Sequence, residues 1–273
     1  MAEMSVIWLR VAAALYSVGL LHAILTLVRR REHLFRVALG AFALGAVFHF
    51  VSIMEQGVAT GRCPIGGFYE TLSMCAFALA LLYLAAHWRY KVESLSVFIF
   101  PLVFVMALVS TLGHPVTGWT NPLLRKTWLT IHIVLVLLGF AALTLTVGAS
   151  LLYLFQEREL KAKKPSKFYY RLPALGTLDA LISRSMAVGF VLMTLAVIAA
   201  STWASIYLSS DWIEEPKIVM SFFTWGVYMA LVVLRTTVGW RGRKAALMTV
   251  TVLCFSALTW IAHSRLTGFV PKP

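Results

Sequence analysis

An all-α polytopic bundle of about eight transmembrane helices, with both termini on the outer side, is the fold this sequence predicts. Three observations predict it. Of the 273 residues, 60% are hydrophobic and only 13% are charged, too little polar surface to coat a water-soluble globule. The apolar residues fall into runs of about 20, the length that crosses a hydrocarbon core ~30 Å thick. Lysines and arginines collect in the short segments between alternate runs, as they do where loops face an anionic inner leaflet.

The runs lie at about 5–28, 34–54, 68–87, 95–112, 128–155, 184–208, 217–235 and 244–263. The first has no basic n-region, is longer than an h-region and lacks a small-x-small site at its end. It reads as a true span and not as a cleavable signal peptide. The fourth contains Pro101, which predicts a kink. The longest connection, about 156–183, begins QERELKAKKPSKFYYRLP and predicts a helical extension followed by a surface loop. No segment between runs is long enough for a soluble domain, so residues 1–273 are expected to form one integral membrane domain.

Charge sets the orientation. Arg29, Arg30, Arg31, Arg36, Arg89, Lys91, Arg158, Lys161, Lys163, Lys164, Lys167, Arg171, Arg235, Arg241, Arg243 and Lys244 fall on one side. Only Arg62, Arg125, Lys126, Arg265 and Lys272 fall on the other. The basic side is expected to be cytoplasmic. This also accounts for the net charge of +13 without nucleic acid, which a soluble protein of that charge would suggest. The expected location is the inner (cytoplasmic) membrane. Cys63, Cys75 and Cys254 give no disulfide framework, zinc site or CxxCH haem-attachment motif.

The histidines are the residues that carry chemistry. His132 lies at the outer end of the fifth span, in KTWLTIHIVLVLLGF. His49 is in the outer part of the second, His263 near the outer end of the eighth, and His114 in an outer loop. His22 sits in the inner half of the first span, and His33 and His87 on the cytoplasmic side. An intramembrane imidazole needs a partner: a carbonyl on a neighbouring helix, a proton relay, or a metal or haem. Histidines at similar depth on different helices are the pattern that grips haem iron axially. A proton relay would add buried carboxylates, yet Glu55 and Glu70 sit at span ends and Asp179, Asp211, Glu214 and Glu215 in loops. That tilts the reading toward haem. A solute transporter would call for an inverted repeat or paired broken helices, and neither is visible. Most tryptophans lie near span ends, as in an interfacial belt. The stretch WASIYLSSDWIEEPKIVMSFFTW (203–225) is an external aromatic loop fit for a flat ligand or for a simple connector.

Several segments, taken in order, resemble the CcsA/HemX-like cytochrome c assembly family over about residues 40–270. GRCPIGGFYETLS (61–73) is similar to the family's G-H-x-P-x-S-N-x-Y-E-S stretch, with Arg62 where a histidine is common. NPLLRKTWLTIHIVLVLLGFAAL (121–143) resembles its P-x-L-x-S-x-W-L-x-x-H-V segment. LDALISRSMAVGFVLMTLAVIAASTWA (178–204) and VGWRGRKAAL (238–247) follow its later spans and basic inner loop. The tryptophan-rich external loop of the family is degenerate here. Leu208, Ser209, Asp211, Glu214, Glu215, Ile218, Val219 and Met220 replace family residues, while Trp212, Pro216, Lys217 and Trp225 remain. Val233 and Val270 occupy the places of two family histidines.

The resemblance implies a membrane haem-handling protein of cytochrome c assembly, not an enzyme alone and at most part of a haem-attachment complex. The implied cofactor is haem b, held non-covalently. His132 would be one axial ligand, with His49 or His263 the other. His22 fits the family's early-span histidine and His49 is its rival. Trp212 and Trp225 would flank the porphyrin and Lys217 would pair with a propionate. Apocytochrome c and a membrane protein with large external domains are the implied partners, beside the lipid bilayer. The alternative is a non-enzymatic HemX-like regulator or scaffold for haem-biosynthesis proteins, acting through the basic inner loops, above all 156–171.

Overall fold

Each apolar run forms a helix, because in hydrocarbon a backbone must satisfy its own hydrogen bonds. The computed structural model describes residues 2–29, 32–61, 63–65, 67–113, 127–161, 172–207, 213 and 216–265. Among these the α-helices are α1 (Ala2–Arg29), α2 (Glu32–Thr60), α3 (Phe68–Tyr90), α4 (Ser96–Ser110), α5 (Thr127–Lys161), α6 (Leu175–Tyr207), α7 (Pro216–Thr236) and α8 (Gly242–Arg265), with a 3-10 turn at Glu93–Leu95. Seven are long and apolar enough to cross a membrane by length and composition. The chain is thus an all-helical, multi-pass membrane protein. The eighth run forms its helix but is not among the seven. Thr249, Thr251, Ser256 and Thr259 along it, with Arg243 and Lys244 in its first turn, make it the more polar one.

Two boundaries differ from the sequence expectation: α2 ends at Thr60, six residues late, and α6 starts early. Helix α5 runs on to Lys161 as the expected helical extension, and Lys161 pairs with Glu157 at 2.7 Å one turn back. Helix α6 begins at Leu175, about nine residues early, just after Pro173. The cause of the second is apolar burial: Leu178 and Leu181 are both buried, so a stretch assigned to a loop has a packing face. Pro101 lies inside a continuous α4. Proline at residue 216 opens α7, where its missing N–H has no helical partner to lose.

Contacts divide the chain into two compact units. The first comprises Met1–Gly118 and Leu151–Leu181, the second Trp119–Ser150 and Ile182–Pro273.

In the first unit, α1 and α2 form a close hairpin. Small residues permit it: Ala12, Ala13, Ala23, Ala38 and Ala46 are buried, and a Cβ on Gly45 would meet the Tyr16 ring at 2.9 Å. Lipid tails are as apolar as leucine, so membrane helices associate through such packing and through interhelical hydrogen bonds. The core is aromatic. Phe42 stacks on Phe100 at 3.9 Å between centroids, with Tyr16 and Tyr83 against Phe42 at 5.0 and 5.6 Å.

In the second unit the core is Leu143, Met186, Tyr228, Leu231 and Val252. Polar staples join its helices. Thr146 and Ser185 share a hydrogen bond at 2.8 Å, as do Thr224 and Thr259. The Tyr228 hydroxyl donates to the Met186 carbonyl at 2.9 Å. Arg235, counted above with the loop charges, is instead buried in the last turn of α7 and donates to Ser183 Oγ at 3.0 Å.

The α7–α8 turn depends on glycine. Gly239 has φ of +71°, and the Trp240 N–H closes the end of α7 on the Leu234 carbonyl at 3.2 Å. Lys244 then lies over the Trp240 ring, 5.5 Å from its centroid. Gly239→Ala is expected to cost about 1 kcal/mol, the penalty of a Cβ in left-handed backbone. Reversible unfolding in mixed micelles would read it, and a change below a few tenths would refute the left-handed requirement.

Candidate functional site

The candidate residues lie in both units. In the second, His132 sits just inside the start of α5 and is half-buried. Its Nδ1 lies 2.8 Å from the Ala196 carbonyl of α6. A carbonyl can only accept, so Nδ1 carries the proton and, in the neutral ring, Nε2 carries the lone pair. This is how backbone carbonyls orient metal-ligating histidines. It is also, by itself, an interhelical staple.

Trp225 of α7 is held by the same turn of α6. Its indole N–H donates to Thr194 Oγ1 at 3.0 Å. One ring face lies near-parallel to Phe190, 6.1 Å away and tilted by 19°. Residues 194 and 196 are two apart on α6, so they point to roughly opposite sides of it. One turn of α6 therefore positions His132 on one flank and Trp225 on the other.

In the first unit, His49 of α2 is fully buried (0% exposed). Both ring nitrogens are engaged: Nδ1 with the Tyr16 hydroxyl of α1 at 3.3 Å and Nε2 with the Ser73 hydroxyl of α3 at 2.8 Å. An imidazole at that depth must be partnered, and here three helices share the task. His22 of α1 is half-buried, with Nδ1 donating to the Val18 carbonyl one turn back at 2.9 Å. The structure thus brings His49 to a phenol and a serine, and His22 to its own helix.

The remaining candidates are less fully described. Lys217 lies in the first turn of α7 and His263 in the last turns of α8, but the side chains of both fall outside the described part. Trp212 and His114 lie outside the described residues altogether. Among the described residues no three of His, Cys, Asp and Glu converge as a metal site. Tyr16, Ser73 and Thr194 were missed by sequence reasoning. They stand 33, 24 and 31 residues from the side chains they serve, and no local spacing signals such contacts.

A multi-pass helical membrane protein with an oriented histidine on one span is the class that this fold and site define. Residues 65–266 match the family described as Cytochrome C assembly protein, and the chain belongs to that family. It is 26% identical over 230 residues to the Cytochrome c biogenesis protein CcsA of Prochlorococcus marinus (strain MIT 9312), covering 74% of each. The CcsA of strain MIT 9303 is 27% identical over 236 residues, covering 76% of this chain and 74% of the relative. His132, Trp225 and the helix positions of Lys217 and His263 fall inside the family match. Helices α1 and α2, with His22 and His49, precede it.

Proposed function

We propose that this chain handles haem for cytochrome c assembly, holding haem b non-covalently and presenting it at the outer face of the inner membrane. Membership of the cytochrome c assembly family over residues 65–266 supports the process. The observation that carries the residue-level reading is His132, inside that match, with its proton committed to the Ala196 carbonyl and its lone pair on Nε2.

The candidate donors suit haem unequally. His132 fits an axial ligand. His49 fits less well, because ligation would require it to release Tyr16 or Ser73. His263 is therefore the second ligand in this reading. Trp225 stands on the other flank of α6 from His132, so in this reading the porphyrin-flanking role falls to Trp212, with Lys217 for a propionate. His132 and His263 would hold the haem through imidazole nitrogens, and the haem would be the group handed on. The protein's part is to orient His132, keep its tautomer and exclude lipid. Thioether formation on an apocytochrome belongs to a complex with a partner bearing external domains. The charge partition supports outward-facing termini.

The test is the absorption spectrum of the detergent-purified chain, oxidised and reduced, with haem supplied in excess. A histidine-ligated haem spectrum is expected. Absence of any such signal would overturn the reading.

One observation favours the HemX-like scaffold instead: α5 continues as a helical arm to Lys161, with Arg158 and Lys161 exposed on it. In that case replacing Lys161, Lys163 and Lys164 together by alanine abolishes function and the histidine variants leave it intact. The haem-handling reading expects the reverse, read as cytochrome c yield in cells.

A further inference from the structure

Helix α1 carries a charge on the face that the first unit leaves uncovered. Arg10 lies inside Met4–Thr26, a segment long and apolar enough to cross a membrane, and its side chain is exposed. An ionisable group within a span ordinarily faces the bundle interior or a cavity and pairs there. Among the described residues nothing pairs with Arg10. The opposite face of α1 is the packed one, with Ala12 and Tyr16 against Gly45 of α2. Around Arg10 the surface is apolar: Ile7 one turn before it and Ala14 one turn after it are exposed, and Val18 and Leu21 continue the strip. Ser17 donates its hydroxyl to the Ala14 carbonyl at 2.7 Å, so it adds no charge partner. The counter-ion of Arg10 therefore comes from outside this unit.

Depth and direction say which anion. Arg10 stands six residues inside the span, about 9 Å at 1.5 Å per residue. Side chains on a helix tilt toward its N-terminus, so Arg10 leads back toward the membrane surface where α1 begins. A long basic side chain placed in this way snorkels, its stem in hydrocarbon and its head at the interface. Lipid phosphates lie at that level. A carboxylate on a partner helix would have to be carried into the hydrocarbon, at a cost of its own. A second copy docked symmetrically on this face would set Arg10 against Arg10, like charge on like charge. The guanidinium fork also matches phosphate oxygens bidentately. In phosphatidylcholine the phosphate already has its own ammonium, so a lipid with net negative charge is the better counter-ion.

We propose that the exposed face of α1 binds one anionic phospholipid, with its phosphate on Arg10 and an acyl chain along Ala14, Val18 and Leu21. The small side chain of Ala14, directly below Arg10, leaves room for the chain to lie against the helix. The site belongs to the part of the chain that precedes the family match at residues 65–266, and it does not depend on haem binding.

The test places the full chain in phosphatidylcholine nanodiscs doped with phosphatidylglycerol that carries a photoreactive diazirine at the top of one acyl chain. Labelled peptides are mapped by mass spectrometry. Label is expected to concentrate on α1 at Ile7, Ala14 and Val18. Unlabelled phosphatidylglycerol should displace it, and a diacylglycerol with the same chains, which lacks the phosphate, should not. Arg10→Leu should lower the label about fivefold or more, the worth of one basic residue at an anionic surface. Arg10→Lys should lower it less, since the charge stays and only the fork is lost. Leucine suits hydrocarbon, so the loss in Arg10→Leu reads the missing charge and not misfolding. Arg36→Leu, near the start of α2 at the other end of the α1–α2 hairpin, should leave it unchanged. Labelling that ignores Arg10→Leu, or equal labelling from a phosphatidylcholine probe, would overturn the proposal. So would capture of a polypeptide in native membranes by photoreactive benzoylphenylalanine in place of Ile7, which would give this face to a partner helix.

Discussion

His132→Ala is expected to remove more than about nine-tenths of the histidine-ligated haem absorption of the purified protein while barely changing its stability. The two effects separate because their energies differ. The bond that His132 makes to the Ala196 carbonyl is an interhelical hydrogen bond in a membrane, worth ~0.6 kcal/mol on average. Its loss should move the unfolding midpoint only slightly. Loss of an axial ligand is larger, since weakening even the groups behind a ligand costs roughly 10- to 100-fold in metal affinity. Added imidazole should restore part of the spectrum by entering the space the ring vacates. If haem is retained with an unchanged spectrum, His132 is a staple and nothing more. If haem and stability fall together, the loss reflects misfolding, and the imidazole rescue tells the two apart.

The second large effect is structural. Gly189→Val should destabilise the second unit by about 2–4 kcal/mol, combining overpacking with a lost buried hydrogen bond. A Cβ on Gly189 meets the Tyr228 hydroxyl, with Ala142 Cβ at 3.3 Å on another side. Tyr228 cannot step aside easily. Its ring is fully buried within the core and packs on Phe190 at 5.6 Å, and its hydroxyl is tied to Met186. A compensating pair sharpens the test. Tyr228→Phe removes only the hydroxyl and should cost about 1 kcal/mol or less. Combined with Gly189→Ala, it should cost less than the sum of the two, because the phenylalanine leaves room for the methyl group. Strict additivity in a denaturant series would show that the two residues do not share the contact.

Much of this was legible in the sequence. Helix α3 starts at Phe68, as its apolar run does. Helix α7 lies within one residue of expectation at both ends, whereas α2 runs six residues past its expected end near His49. The early start of α6 escaped because a charged, Pro-flanked connection hid two buried leucines. The less apolar character of α8 escaped because its threonines still read as a run. Arg235 escaped as well: charge counting treats every arginine near a span end as a loop charge, yet here Ser183 draws it into the bundle.

The candidate site divides in the same way. Composition selected the histidines, and family resemblance ranked His132 first. Neither could reveal that His132 donates to Ala196, that His49 spends both nitrogens on Tyr16 and Ser73, or that Glu70 at its span end is buried. The scarcity of carboxylates at span centres tilts the sequence reading toward haem over a proton relay, with Glu70 counted at a span end. Its position is as expected, but its burial is not.

By itself the sequence determined the solvent, the helical class and the family. Each is a sum over many residues: hydropathy over about 20 positions sets a span, and motifs in order along the chain set the lineage. Only the tertiary structure decided which lone pair His132 keeps and how His49 is partnered. Those depend on single hydrogen bonds between helices dozens of residues apart. A bond of about 1 kcal/mol leaves no periodic trace in a sequence, yet in hydrocarbon it decides what each polar group can do.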